Sequence, residues 1–229
     1  MDTPAIRLLS LNVGQPRLLV GASGQTFHSS IGRKPATGPL RCTLDGLEGD
    51  ACKYPGHHGR QMALNAFDRQ GYADLEEIFG VRFPVPGFGE NLTLEGLPDS
   101  EARIGDVLRV GTVLAQVSQL REPCGNLVHF LGQPRIIKAM HRARRTGYYL
   151  RVLEEGEIAP GSPVELVERG DPRWTIEALG RALFLELPDE AQGEELMRHP
   201  QLSINFKRSL ARQFQKLTKR PLAGAPQED

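Results

Sequence analysis

Glycine and proline punctuate this chain every few residues up to Gly170, and no other feature constrains the fold as strongly. Between them lie short apolar or alternating runs. They are Ile6 to Val13, Arg17 to Val20, Asn91 to Leu94, Val107 to Val110, Val113 to Ser118, Tyr148 to Leu153 and Val164 to Val167. Runs this short fit strands, and many short strands between turn signals predict an antiparallel barrel or sandwich. One helix interrupts them. Leu64, Phe67, Gly71, Leu75 and Ile78 sit three or four apart, which predicts a strand to about Ala66 and then a helix from Arg69 to Phe79.

After Gly170 glycine thins out and the apolar period lengthens. Asp171-Pro172 reads as an N-cap with proline at the first helical position, leading into Ile176, Leu179 and Leu183. A second helix fits Asp189 to Arg198. A third fits Ser203 to Leu217, with Phe206, Leu210, Phe214 and Leu217 on one stripe. The predicted organisation is a mainly β domain over 1–170, a three-helix domain over 171–218 and a flexible tail over 219–229.

Lys+Arg and Asp+Glu both number 28, so no net charge steers the whole molecule onto nucleic acid or an anionic membrane. Neither is expected as a stable partner. Met1-Asp2-Thr3-Pro4 lacks the basic and apolar regions of a signal peptide, and no apolar run is long enough to span a bilayer. The 3 cysteines cannot all pair internally. A reducing cytoplasm is the expected setting. The sequence sets no oligomeric state.

Four segments carry chemistry. Leu120-Arg121-Glu122-Pro123-Cys124-Gly125-Asn126 delivers a cysteine just past a strand, close to a guanidinium that favours the thiolate. The bland alternative is a small buried hydrophobe. Gly46-Leu47-Glu48-Gly49-Asp50 precedes His57-His58-Gly59-Arg60, where adjacent histidines suit a metal or an anion, or simply a solvated loop. The C-x9-C-x4-H-H spacing from Cys42 and Cys52 is not that of a compact zinc site. Pro86-Gly87-Phe88-Gly89-Glu90-Asn91 is a tight turn whose glycines let a ligand approach the backbone, without the spacing of a phosphate loop or a dinucleotide fingerprint. Arg135, Lys138, His141, Arg142, Arg144 and Arg145, followed by Tyr148 and Tyr149, suit an oxyanion, a nucleic-acid surface or a solvated helix face.

In order along the chain, these segments resemble the MOSC-domain family, in its YiiM-like branch. Leu47-Glu48-Gly49-Asp50 with His58-Gly59 resembles the family's E-G-D…H-G-G element. Gly89-Glu90-Asn91-Leu92-Thr93 matches its G-E-N-L-T turn. Ile104-Gly105-Asp106 and Arg121-Glu122-Pro123-Cys124 match its I-G-D…P-R-x-P-C block. Gly147-Tyr148-Tyr149-Leu150-Arg151-Val152 resembles its G-x-Y-x-R-V ending, and Arg33 before Pro35 its early basic residue. Two positions depart from the pattern: Arg60 stands where a second glycine is usual, and Leu120 where a proline is usual.

The resemblance implies a MOSC-type β-barrel with a few helices and a small C-terminal three-helix domain. It implies the molybdenum cofactor, a pterin phosphate with a dithiolene-bound metal, and Cys124 as the thiolate ligand to molybdenum and the catalytic residue. Arg33, His58, Glu90, Asn91, Arg121 and Arg145 are expected to hold the cofactor at one cavity. The implied activity is reduction of N-hydroxylated bases and related N-oxygenated compounds. The 3 cysteines cannot complete an iron–sulfur site once Cys124 is assigned, and no dinucleotide fingerprint is present. Electrons should therefore come from a separate flavoprotein or iron–sulfur partner, with Arg135 to Arg145 as its docking edge. The alternative is a module that carries sulfur as a Cys124 persulfide or binds the cofactor without reducing anything. A cysteine hydrolase using Cys124 and His58 rests on residue type alone.

Overall fold

The computed structural model describes residues 5–52 and 59–226. The first region opens with strands β1 (Arg7–Val13), β2 (Arg17–Val20), β3 (Thr26–Ser29), β4 (Lys34–Pro35), β5 (Leu40–Thr43) and β6 (Gly46–Leu47). Then come β7 (Leu64–Asp68), helix α1 (Arg69–Phe79), β8 (Leu92–Glu95), β9 (Val107–Val110) and β10 (Val113–Leu120). Two helices follow, α2 (Gly125–Leu131) and α3 (Ile136–Ala143), before β11 (Tyr148–Glu154), β12 (Gly156–Ile158) and β13 (Val164–Glu168). The chain ends in α4 (Ile176–Phe184), α5 (Glu190–Arg198) and α6 (Ile204–Thr218).

Eight strands form one sheet in the order β13-β9-β10-β11-β7-β8-β1-β4. Its neighbours are antiparallel except β7 and β8, which run parallel because α1 carries the chain back between them. Bulges in β1 against β8 and in β10 against β11 add curvature. An isolated bridge from Arg7 to Pro163 ties β1 towards the β13 end. The sheet thus curls into a half-barrel with β12-β5-β6 as a small second sheet beside it.

Alternation explains which way the strands face. Val113, Ala115 and Val117 of β10 are buried, and Leu114 and Gln116 between them are less so. In β11, Tyr148 points into the core, where its hydroxyl donates to the Leu97 carbonyl at 3.0 Å. One core cluster joins the sheet to α4, α5 and α6 through Leu108, Val117, Leu179, Leu196, Phe206 and Phe214. A second holds α1, α2 and α3 together through Phe67, Tyr72, Phe88, Leu127, Ile136 and Met140. No helix among the described residues is long and apolar enough to cross a membrane.

Two expectations are corrected at the C-terminal end. Helix α4 starts at Ile176, with Thr175 as its N-cap, whose hydroxyl accepts from Ala178 N at 3.1 Å. Asp171 and Pro172 instead form a turn closed by Trp174 N onto Asp171 O. Backbone bonds from Ile104 N to Trp174 O and from Ile176 N to Ala102 O hold that segment extended, so helix cannot begin earlier. The segment expected to be a flexible tail is anchored at Leu222, which is buried in the core. Gly193 of α5 makes room for it, since a Cβ there would sit 2.8 Å from Leu222 Cδ1.

Candidate active site

A cavity of about 330 Å³ opens between the β3–β4 loop, the end of β10, β11 and the turn before β8. Four of the seven residues assigned to it from sequence line it: Arg33, Asn91, Arg121 and Cys124. Cys52, Asn65, Tyr149 and Asp50 complete the polar lining that matters below.

One wall is a closed network. Arg33 grips Asp50 with two bonds, Nε to Oδ1 at 2.9 Å and Nη2 to Oδ2 at 2.7 Å, and donates a third from Nη1 to Gly89 O at 2.6 Å. Burial works against the charge, but Asp50 outweighs it, so the Arg33 pKa lies above its ordinary value. Asp50 also accepts from Gly14 N at 2.8 Å and from Asn91 Nδ2 at 3.0 Å. Asn91 spends its remaining capacity on backbone: Oδ1 accepts from Asn65 N at 3.1 Å and Nδ2 donates to Asn12 O at 3.1 Å. Gly89 has φ +73 and a Cβ would meet Ile31 Cγ1 at 2.9 Å, so glycine is required where this carbonyl turns inward.

The opposite wall is unsatisfied. Arg121 follows β10 and is only 6% exposed, yet its Nη1 has no hydrogen-bond partner among the described residues. Its backbone is fixed, with the amide donating to Gly147 O at 2.9 Å. Tyr149, the residue of β11 on the cavity side, shows no side-chain hydrogen bond among the described residues. Burial raises the Tyr149 pKa; Arg121 and Arg33 pull it down, and Cys52 and Cys124 push it up. The phenol thus stays protonated in a mixed field of cations and thiols. Cys124 is the N-cap residue of α2 and makes no capping bond, which leaves its thiol available to the cavity. Cys42, by contrast, is wholly buried, and burial, then Glu155, pushes its pKa up to about 12. It is an inert core thiol.

Two sequence assignments fall elsewhere, and a third is not described. Arg145 does not line the cavity: Nε donates to Asp74 Oδ2 at 2.6 Å and Nη1 to Glu177 Oε2 at 3.0 Å, so it clamps α1 to α4. Its position in a basic run concealed two acidic partners that are distant in sequence. Glu90 is fully buried behind the cavity. It accepts from Tyr72 Oη, from Thr93 Oγ1 at 2.9 Å and from Phe88 N at 3.0 Å, so it shapes the turn instead of facing a ligand. His58, with His57, lies outside the described residues. Sequence reasoning missed Asp50, Asn65, Cys52 and Tyr149 as lining residues. Strand alternation from Tyr148 could have turned Tyr149 towards the cavity; nothing local marks Asn65.

Residues 53–165 match the MOSC domain. The chain is 30% identical to protein YflK of Bacillus subtilis strain 168 over 211 residues, covering 92% of this chain and 95% of that one. It is 32% identical to protein YiiM of Escherichia coli K12 over 186 residues, covering 80% and 83%. The chain belongs to the MOSC-domain family, in its YiiM-like branch. The half-barrel with its C-terminal helices is the MOSC fold of that branch. The structure of YiiM from Geobacillus stearothermophilus superposes with a TM-score of 0.76 at 30% identity, covering 91% of this chain and 98% of that one. A protein named reductase from Gibberella moniliformis strain M3125 shares 32% identity over 170 residues, 72% of this MOSC chain but 30% of that longer protein.

Proposed function

We propose that this MOSC protein is a molybdenum-cofactor-dependent oxidoreductase that reduces N-hydroxylated bases and related N-oxygenated compounds, with Cys124 as the molybdenum ligand. The observation that carries the reading is the unsatisfied wall: a free thiol, an unpartnered buried guanidinium and a phenol meet in one cavity. Buried polar groups are normally hydrogen-bonded, so an orphaned Arg121 Nη1 and an orphaned Asn65 Oδ1 invite a ligand. A pterin phosphate fits them: Arg121 suits the phosphate, Asn65 Oδ1 suits a pterin N–H, and a thiolate suits a soft redox metal.

When bound, the molybdenum cofactor supplies the two-electron chemistry that breaks the N–O bond. Reduction of an N-hydroxyl also consumes two protons and releases an amine and water. Tyr149 Oη holds a proton at the cavity wall and can give it to the departing oxygen. Arg33 and Asp50 keep the facing wall in shape, and the neighbouring cations Arg33 and Arg121 steady the phenolate that forms. A separate flavoprotein or iron–sulfur protein supplies the electrons, and a cytoplasmic setting is consistent with the free thiols.

A second reading, persulfide carriage on Cys124, draws on the presence of Cys52 in the same cavity, where two thiols can exchange sulfur. Elemental analysis of protein made in a host competent for molybdenum-cofactor synthesis separates the two. Stoichiometric molybdenum with turnover of an N-hydroxylated base supports the reductase. Sulfane sulfur without metal supports the carrier.

A further inference from the structure

A neutral chain can still separate its charges. From Pro123 to Leu153 there is no Asp or Glu, and from Leu196 to Gln227 there is none either. These two stretches hold 6 and 7 of the 28 Lys and Arg residues. They are far apart in sequence, and α4 packs against both α3 and α6 to bring them together. Between them runs a groove of about 440 Å³, lined by His141 of α3, Phe184 of α4, and Arg212 and Lys216 of α6. Its floor is flat and aromatic, with His141 stacked on Phe184 at 3.7 Å.

Several exposed cations of these two stretches lack the carboxylate partners that hold many other arginines of the chain, Arg144 and Arg145 among them. Arg33, Arg69, Arg144, Arg145, Arg169 and Arg173 each pair with a carboxylate. Arg135, Lys138, Arg142, Arg212 and Lys216 are exposed, and none has an ion pair among the described residues. The groove also lies next to the candidate active site, because Glu122 lines both it and the Cys124 cavity.

We propose that the α3/α6 face is the docking surface for the acidic electron-donor protein, which seats over the groove with its redox centre directed along Glu122 to the Cys124 cavity. The proposal rests on the reductase reading. Unpaired surface cations next to a redox cavity suit a weak, charge-steered partner. An aromatic floor ringed by charges is the anatomy of a protein contact, with an apolar centre and a polar rim.

The probe is an oxidised bacterial flavodoxin, an acidic one-electron carrier, titrated into the protein by calorimetry with and without the cofactor. Arg212→Glu/Lys216→Glu should weaken binding at least about tenfold at low salt, and the wild-type affinity should fall steeply as salt rises. In turnover with molybdenum-loaded protein, the same variant should lose flavodoxin-driven reduction and keep the rate driven by methyl viologen reduced with dithionite. Unchanged flavodoxin binding in the variant, or no binding in the wild type, overturns the proposal. Tighter binding of duplex DNA or of anionic vesicles than of flavodoxin overturns it in favour of those partners. Equal loss with viologen would place Arg212 and Lys216 in catalysis and also overturn it. Because binding is read without the cofactor, docking can survive even if the wild type proves inert on N-hydroxylated bases.

Discussion

The two walls of the Cys124 cavity are built from similar residues and do opposite things. On one, Arg33 makes three hydrogen bonds within the protein, and Asp50 and Asn91 are saturated by their neighbours. On the other, Arg121 keeps an unpartnered nitrogen, Tyr149 shows no side-chain hydrogen bond among the described residues, and Cys124 caps nothing. A cavity that must bind a charged ligand needs both conditions. A wall whose polar groups satisfy one another holds its shape without the ligand, and a wall that leaves them unsatisfied supplies the recognition. Breaking the first should unfold the protein; breaking the second should disarm it.

The largest effect is expected from Asp50→Ala. It leaves Arg33 buried without its counter-charge and strips a partner from Gly14 N. Removing one partner of a buried pair costs about 3–5 kcal/mol. Urea denaturation should show it; a loss under about 1 kcal/mol would mean the network is not what holds that wall.

Next in size is a pH effect beneath the open wall. Asp99 accepts from Thr146 N at 2.8 Å, Thr146 Oγ1 at 3.2 Å and Gly147 N at 3.0 Å, the turn that feeds β11 and hence Tyr149. Burial raises its pKa from 3.8 to about 6 despite those bonds. Below the unfolded value the carboxyl is protonated in both states. As pH rises, the unfolded chain ionises first, so stability falls until the folded carboxyl also ionises near pH 6. The whole step amounts to about 3 kcal/mol. Asp99→Asn should flatten this part of the stability–pH curve, and parallel curves for the two proteins would remove Asp99 as its source.

Disarming effects come third. Cys124→Ser replaces a soft ligand with a hard one. Activity on an N-hydroxylated base should fall by more than the ~10–100-fold that loss of an outer-shell partner costs, together with molybdenum content. Stability should move by less than about 0.5 kcal/mol. Full molybdenum in the variant would separate Cys124 from the metal. Tyr149→Phe should retain molybdenum and lower kcat on the order of a hundredfold with little change in KM, and it should remove the alkaline limb of the pH–rate profile. An unaltered pH profile would assign the proton to another donor.

This contrast between walls was only half legible in the sequence. Strands appear where glycine and proline bracket alternating residues, so β1, β10 and β11 could be placed to within a residue or two. The two-residue strands β4 and β6 exist through pairing with β1 and β5 and carry no local signal. Helix α2 was missed because its 7 residues begin at a glycine. The cavity posed the harder problem. Arg121 and Arg145 look alike in sequence, each close to an acid or another base, and only their partners distinguish them. Those partners, Asp74 and Glu177 for Arg145 and none described for the Arg121 Nη1, are long-range facts. Motif reading put Cys124 and Asn91 at the cavity, Cys124 through its place at the strand end and Asn91 through its turn, although the partners of Asn91 are distant in sequence. It put Glu90 there too, whereas the structure buries Glu90 behind the cavity, because a turn-shaping carboxylate and a ligand-facing one share the same motif.

Arg121→Gln gives the finest test of the comparison, since its expected effects have opposite signs in two assays. The Nη1 nitrogen donates to nothing among the described residues, so removing the charge sacrifices no internal hydrogen bond from that atom and relieves the desolvation of a nearly buried cation. Folding stability should therefore hold or rise slightly. Cofactor retention should fall, because one charge-assisted phosphate contact contributes roughly 1.5–3 kcal/mol, or about tenfold or more in occupancy at limiting cofactor. The same change at Arg33 should do the reverse, costing stability first, because its bonds run to Asp50 and Gly89. Measuring urea midpoints and molybdenum content for both variants places each arginine on one wall or the other. If Arg121→Gln destabilises the fold as much as Arg33→Gln does, the open wall is a second structural network and the asymmetry of the cavity disappears.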